Sequence, residues 1–279
     1  MSICPIPVRR LAEIVRKTRT VFENSSLVSS IHQKGPIDFV TDADIQVQSL
    51  LSAELSALCP DIQFMGEEKD NSEIDRDGTL WILDPIDGTT NLIHHFCHST
   101  VSLALASHRT VLAAIVYNPY TDELFSAEKG KGAFLNGEPV HASRNGTLQQ
   151  SVIFTGTSPY YHEYADWIFG KAREIYLRTQ DIRRIGSAAL ELAYVAAGRA
   201  DGFYESRLSP WDYAAGLLLI QEAGGTVTDL AGRALDCTVP SSVLASNGLI
   251  HRELEAILSP GPQGIGQDAD KDKCPQGTP

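Results

Sequence analysis

Residues 81–91, Trp-Ile-Leu-Asp-Pro-Ile-Asp-Gly-Thr-Thr-Asn, constrain this chain more than any other stretch. An apolar run ends in two carboxylates, then a glycine and two threonines. Leu80 to Leu83 reads as a buried strand, and Pro85 and Gly88 punctuate its end. Acids emerging where a strand stops are costly without a cation between them. The amides after Gly88 are free to donate to an anion, most usefully where a helix begins. One short segment thus offers cation ligands beside an anion cradle, which suits phosphate chemistry.

The chain has 279 residues, 43% hydrophobic and 21% charged, an ordinary globular composition with room for one large or two small domains. A net charge of −12 disfavours a nucleic-acid groove or an anionic membrane as partner. The five cysteines are scattered, without C-x-x-C spacing, which speaks against zinc and a disulfide framework and for a reducing cytoplasm. Residues 1–19 contain no continuous apolar core, so no leader peptide is expected. No run approaches the ~20 apolar residues needed to span a bilayer.

Along the chain, Val8, Leu11, Val15 and Phe22 predict an amphipathic helix over residues 7–24. Residues 33–39 read as a loop. A second helix is expected from Asp42 to Leu58, with Leu50, Leu51, Leu55 and Leu58 inward. Residues 62–65, 100–106, 111–117 and 123–127 read as strands, and their close spacing predicts a largely antiparallel middle sheet. Residues 129–132, Lys-Gly-Lys-Gly, read as a hairpin turn rather than a phosphate loop. From Ser151, strands (151–155, 201–204, 225–228, 243–245) alternate with helices (187–197, 211–223, 249–258). Residues 259–279, rich in Gly, Pro, Asp and Gln, read as a disordered tail. The fold class is α+β, or mixed α/β, with helices covering sheets. We expect one catalytic domain over 1–258, in two packed subdomains of roughly 1–150 and 151–258.

Three further acidic positions join Asp84 and Asp87. Glu67 and Glu68 follow the strand at 62–65, Asp212 starts an apolar helix, and Asp42 and Asp44 open another. Each alone reads more simply as a surface acid or as charge at a helix N-terminus. Together, carboxylates at 67, 84, 87 and 212 make an all-oxygen set that suits Mg²⁺ better than zinc. Two ions could clamp the attacking and leaving oxygens of an in-line phosphoryl displacement. His94, His95 and His98 read as rim or packing residues. Cys97 lacks a thiolate-stabilising context.

These residues resemble the inositol monophosphatase family of Mg²⁺-dependent, lithium-sensitive phosphatases. Gly66-Glu67-Glu68, the run from Asp84 to Asn91 and Trp211-Asp212 match its signature blocks in order and spacing. Weaker matches lie at Asp38 to Asp44, Gly130 to Phe134, Gly186 to Ala189 and Glu222 to Gly225. The resemblance covers about residues 7–258. It implies a layered α-β-α-β-α sandwich, a homodimer and two or three Mg²⁺ ions. By resemblance, Glu67, Asp84 and the Ile86 carbonyl hold one ion, and Asp84, Asp87 and Asp212 a second, with Glu67 also serving a looser third. Thr89, paired with Asp44, orients and deprotonates the attacking water. Amides at Gly88, Thr89 and Thr90 bind phosphate, and Glu68 supports the ligands from behind. Glu205 binds the ring hydroxyls, Ser187 and Ala188 line the same pocket through their backbone, and Asp87 also binds substrate.

The implied substrate is inositol monophosphate or a similar small polyol or sugar phosphate. Thr90-Asn91 resembles the inositol branch, and Glu205 falls where that branch places an acid for ring hydroxyls. Two departures are Arg207 and Pro210 before Trp211, and Cys97-His98 after the central motif. Arg207 raises the rival of a fructose-1,6-bisphosphatase or a dual-specificity enzyme. A catalytically silent metal- and phosphate-binding regulator is the rival from another class.

Overall fold

The N-terminal apolar residues do not form the single helix expected over 7–24. They form α1 (Val8–Arg16), α2 (Arg19–Phe22) and α3 (Ser25–Val28). The break falls at Thr18, whose hydroxyl and amide both donate to the Val15 carbonyl. Such local bonding competes with helix continuation. In this computed structural model residues 6–35 and 38–262 are described. Cys4, Cys274 and most of the expected tail lie outside them.

Residues 33–39 are not simply a loop. β1 (Ile31–Gln33) and β2 (Phe39–Thr41) pair antiparallel, with Gln33 opposite Phe39. Helix α4 (Asp42–Leu58) has the expected bounds. Thr41 caps it, and Asp44 completes a capping box by accepting from the Thr41 amide. Leu51 and Leu55 are buried, but Leu58 is 42% exposed because it sits in the last turn.

The larger sheet contains β3 (Gln63–Gly66), β4 (Thr79–Asp87), β5 (Thr100–Ser107), β6 (Thr110–Asn118), β7 (Glu123–Glu128), β8 (Ala133–Leu135) and β9 (Glu138–Val140), in sequential order. Only the β3–β4 pair is parallel. β4 runs past Leu83 to Asp87, longer than the sequence suggested. A register shift between Asp84 and Asp87 lets the strand tolerate Pro85, which has no N–H to give. Helix α5 (Thr89–Ile93) begins directly after it.

The smaller sheet is built from β10 (Val152–Thr155), β11 (Asp181–Arg183), β12 (Gly202–Leu208), β13 (Thr226–Thr228) and β14 (Ser241–Ser246), in the order β11-β10-β12-β14-β13. Between these strands run α6 (Ala165–Tyr176), α7 (Ala188–Ala196) and α8 (Pro210–Glu222), and α9 (His251–Leu258) follows β14. Helix α6 went unread in the sequence, although Ile168, Ala172 and Ile175 are buried at helical spacing.

The layers follow from the three apolar cores. One core joins α7 and α8 to a face of each sheet. A second joins α1 and α4 to the outer face of the larger sheet, and a third places Ile175 of α6 and Leu254 of α9 against the outer face of the smaller one. The architecture is therefore α-β-α-β-α. The Lys129–Gly132 stretch is a turn, as expected, but its amides are not idle. Gly130 and Gly132 donate to the Glu222 carboxylate at 2.7 and 2.8 Å. No described helix is long and apolar enough to cross a membrane. Cys59, Cys97 and Cys237 are free.

Candidate active site

Two strand registers and one helix start assemble the site. Asp84 lies opposite Ser102 on β5, and Asp87 opposite Thr100. Ser102 Oγ donates to the Trp211 carbonyl at 2.9 Å, which seats the N-terminus of α8 over β4. Asp212 sits in the first turn of α8, where its Oδ2 accepts from the Ser209 amide at 2.7 Å. Asp212 is thus a helix cap, and that does not compete with a role in the site. One oxygen each from Asp84, Asp87 and Asp212 lies within 4.8 Å of the others.

Asp87 also joins the two halves of the chain. Its Oδ2 accepts from Ser187 Oγ at 2.5 Å and from the Ala189 amide at 2.7 Å, at the N-terminus of α7. Thr100 lies 3.1 Å from Ser187 through their hydroxyls. Gly88, at φ +89°, permits the tight turn from β4 into α5. A Cβ there would meet the Gly186 carbonyl at 3.0 Å and Ser187 at 3.3 Å, so the two turns touch. Ala188 follows Ser187 directly, at the first position of α7.

Asp44 is 1% exposed and turns toward Thr89. Thr89 Oγ1 lies 3.3 Å from Asp44 Oδ1 and donates to the Ile86 carbonyl at 3.1 Å. Asp44 Oδ2 is held by the Thr41 amide and hydroxyl. Burial raises its pKa to about 6 despite those bonds. Asp42, by contrast, is solvent-facing and contacts His32.

Glu67 follows β3, and its amide donates to the Leu83 carbonyl at 3.3 Å. It stands outside the Asp84–Asp87–Asp212 trio. Burial raises its pKa to about 8, with Glu68, Asp44 and Asp38 adding to the effect and Lys34 opposing it. Lys34 itself pairs with Glu68. Burial would lower Lys34, but Glu67 and Glu68 outweigh it and leave its pKa raised. The sequence reading missed Lys34, whose only signal was a lone cation in a polar stretch.

The electrostatics favour a cation. Asp84 and Asp212 are pushed well up, first by burial and then by neighbouring acids, and burial lifts Asp87 to about 6. The neighbouring charges that raise Asp84 most are those of Glu67, Asp87, Asp212 and Asp44. Crowded, desolvated carboxylates match the hard-oxygen donor set of Mg²⁺. No His or Cys joins the group among the described residues. His94 instead lines a small apolar hollow with Ile31, Phe39, Thr90 and Ile93.

Comparison with known proteins bears on this geometry. The inositol monophosphatase family matches residues 8–260. The chain belongs to that family. It is therefore a phosphoric monoester hydrolase by descent. An inositol-1-monophosphatase of Mesorhizobium japonicum is 42% identical over 228 residues, 81% of this chain and 85% of that protein. A Thermotoga maritima protein named fructose-1,6-bisphosphatase/inositol-1-monophosphatase is 39% identical over 86% of this chain and 90% of its own. The Nus factor SuhB of Escherichia coli is 40% identical over 83% and 85%. Among solved structures, the inositol monophosphatase of Thermotoga maritima superposes with a TM-score of 0.80 at 35% identity, covering 90% of this chain and 96% of that one.

Proposed function

We propose that this inositol monophosphatase family member hydrolyses inositol monophosphate or a similar small polyol or sugar phosphate with Mg²⁺. The observation that carries this reading is the acid trio at the end of β4, directly beside the amides that open α5. Asp84, Asp87 and Asp212 would hold one ion, and Glu67, Asp84 and the Ile86 carbonyl a second, with Glu67 also serving a third. Bound Mg²⁺ supplies Lewis-acid polarisation of phosphoryl oxygens and offsets the charge that develops on them. The Gly88, Thr89 and Thr90 amides, which have no acceptor inside so short a helix, orient the phosphate. Thr89 Oγ1 takes a proton from the attacking water as its own passes to Asp44 Oδ1, 3.3 Å away. Lys34, paired with Glu68, offsets the charge of Glu67, and Glu68 supports the ligands from behind. Glu205 meets the substrate's hydroxyls, and the backbone of Ser187 and Ala188 lines the same pocket. The working unit is one domain spanning 1–258, its halves joined at Asp87.

A second reading, action on fructose-1,6-bisphosphate, is favoured by the double name of the Thermotoga relative. Arg207, the residue that suggested it, is held locally: its Nε donates to Tyr161 Oη at 2.8 Å and its guanidinium lies 5.1 Å from that ring's centroid. That engagement favours the monophosphate. A homodimer is supported by Phe169 and Tyr176 on α6 and by Leu177 at its C-cap, exposed at helical spacing. Cytoplasmic location is supported by the free cysteines, and the absence of a nucleic-acid partner by the charge of −12. Inhibition by Li⁺ follows from the family resemblance.

Phosphate release from inositol 1-phosphate, fructose 1,6-bisphosphate and a 3′-phosphonucleotide, each with Mg²⁺, tests the reading. We expect the highest kcat/KM on the first, abolished in Asp84→Asn. A wild type that releases phosphate from none of them leaves the silent regulator as the answer. Light scattering on the eluted peak tests the dimer.

A further inference from the structure

The segment after β10 has no assigned role, yet it is built with unusual constraint. Gly156 passes directly over Glu205: a Cβ there would sit 2.0 Å from the Glu205 carboxyl carbon. Ser158 is 2% exposed and holds φ at +40°, a strained conformation for a residue with a side chain. Its amide donates to Glu205 Oε1 at 2.7 Å, its hydroxyl lies 2.7 Å from that of Ser206, and the Arg207 amide donates to it at 3.1 Å. Three residues on, Tyr161 is fixed by Arg207 and stacks on Tyr164 at 5.8 Å. Strain of this kind persists only where surrounding contacts impose it.

Between these two anchors the segment carries Tyr160. The residue is 52% exposed and joins none of the three cores. Its hydroxyl points to the other half of the chain, 3.4 Å from Asp38 Oδ1 beside β2. Burial raises its pKa, and so do Asp38, Glu67 and Asp212, which places the phenol in the field of the site's acids. A surface tyrosine with no task would need neither the strained serine nor a buried carboxylate beneath its loop. A tyrosine ring offers a flat apolar face to ring C–H groups and a hydroxyl to polar ones, which are the two features of a cyclic polyol.

We propose that Tyr160 is a specificity-determining residue, its ring covering the alcohol half of the bound ester and its hydroxyl exchanging Asp38 for a substrate hydroxyl. Glu205 is then also a positioning residue, holding the loop that presents Tyr160. The inference rests on the polyol-phosphatase reading above and names the part of the site that would select the alcohol.

The test compares inositol 1-phosphate with glycerol 2-phosphate, which has no ring, in the full-length protein with Mg²⁺. Tyr160→Ala should raise KM for the cyclic ester about tenfold and leave KM for glycerol 2-phosphate within about twofold. Tyr160→Phe, which keeps the ring, should cost about threefold or less on the cyclic ester. The Mg²⁺ half-saturation should not move in either variant. Calorimetric binding of inositol 1-phosphate with Ca²⁺ in place of Mg²⁺ should show the same loss without turnover. Equal changes on both esters, or no change, overturn the proposal. A parallel rise in Mg²⁺ half-saturation also overturns it, because Tyr160 would then act through Glu67. A wild type inactive on both esters defeats the phosphatase reading instead, and the Ca²⁺ isotherms still decide Tyr160.

Discussion

Glu191 tests whether burial governs the acids of this protein. It lies in the first turn of α7, 1% exposed, and accepts from the backbone amides of Ile185 and Gly186. Those amides belong to the turn that carries Ser187 to Asp87. Burial lifts the Glu191 pKa from 4.5 to about 8, although both amides oppose the shift. Its folded-state pKa thus lies above the unfolded one, and the folded protein holds the proton more tightly. The resulting stability is fully present below about 4.5 and is lost as pH rises through about 8. At about 1.4 kcal/mol per pKa unit, the ceiling on that loss is ~5 kcal/mol. Glu191→Gln keeps the shape and removes the titration. It also forfeits one acceptor, a cost of about 1–3 kcal/mol that does not depend on pH. Melting temperatures of the two proteins, followed with Mg²⁺ from about pH 5 to about pH 9, isolate the titrating part. The wild type should lead at the acid end and lose its lead toward the alkaline end. At a few degrees per kcal/mol for a chain of this size, even a third of the ceiling gives a change of roughly 3–6 °C. A gap that stays constant, or one that widens in favour of the wild type as pH rises, refutes the reasoning. The latter would mean that the two amides outweigh burial and keep Glu191 ionised.

The site itself yields further expectations. Glu67→Gln and Asp212→Asn should each lower kcat/KM more than ~100-fold while circular dichroism stays unchanged, since asparagine and glutamine preserve shape and only charge is lost. Collapse of the fold in either variant would make that acid structural. Asp44→Asn should lower kcat by ~10²–10⁴ with Mg²⁺ half-saturation within about threefold, because it acts on the proton through Thr89. Ser187→Ala removes the 2.5 Å donor to Asp87, so Mg²⁺ half-saturation should rise about tenfold and kcat at saturating Mg²⁺ should change little. Chelation with EDTA should abolish activity reversibly and leave the far-UV spectrum intact, because the trio rests on β4 and α8 rather than on an ion.

The sequence carried α4 to its bounds and the antiparallel middle strands nearly so, because both depend on local periodicity and capping. It failed where tertiary contact overrides local pattern. The apparent end of the strand at Leu83 is a bulge inside β4, held by its pairing with β5. Leu58 follows the helical stripe but lies in the last turn of α4, exposed to solvent. The arms at Gln33 and Phe39 looked like loop because each is short and gains its bonds from the other.

By itself the sequence determined which residue types were available for chemistry: acids at 44, 67, 84, 87 and 212, a glycine able to hold a positive φ, and threonines after it. Such identities are fixed covalently and by local backbone preference. The tertiary structure decided which acids share a place and which partners hold them. Ser102 seating α8, Ser187 reaching Asp87 from 100 positions away, and Lys34 beside Glu68 are contacts between distant elements. They arise from how two sheets stack on a common helical layer, and that stacking is set by the summed burial of many apolar side chains, which no local window of sequence contains.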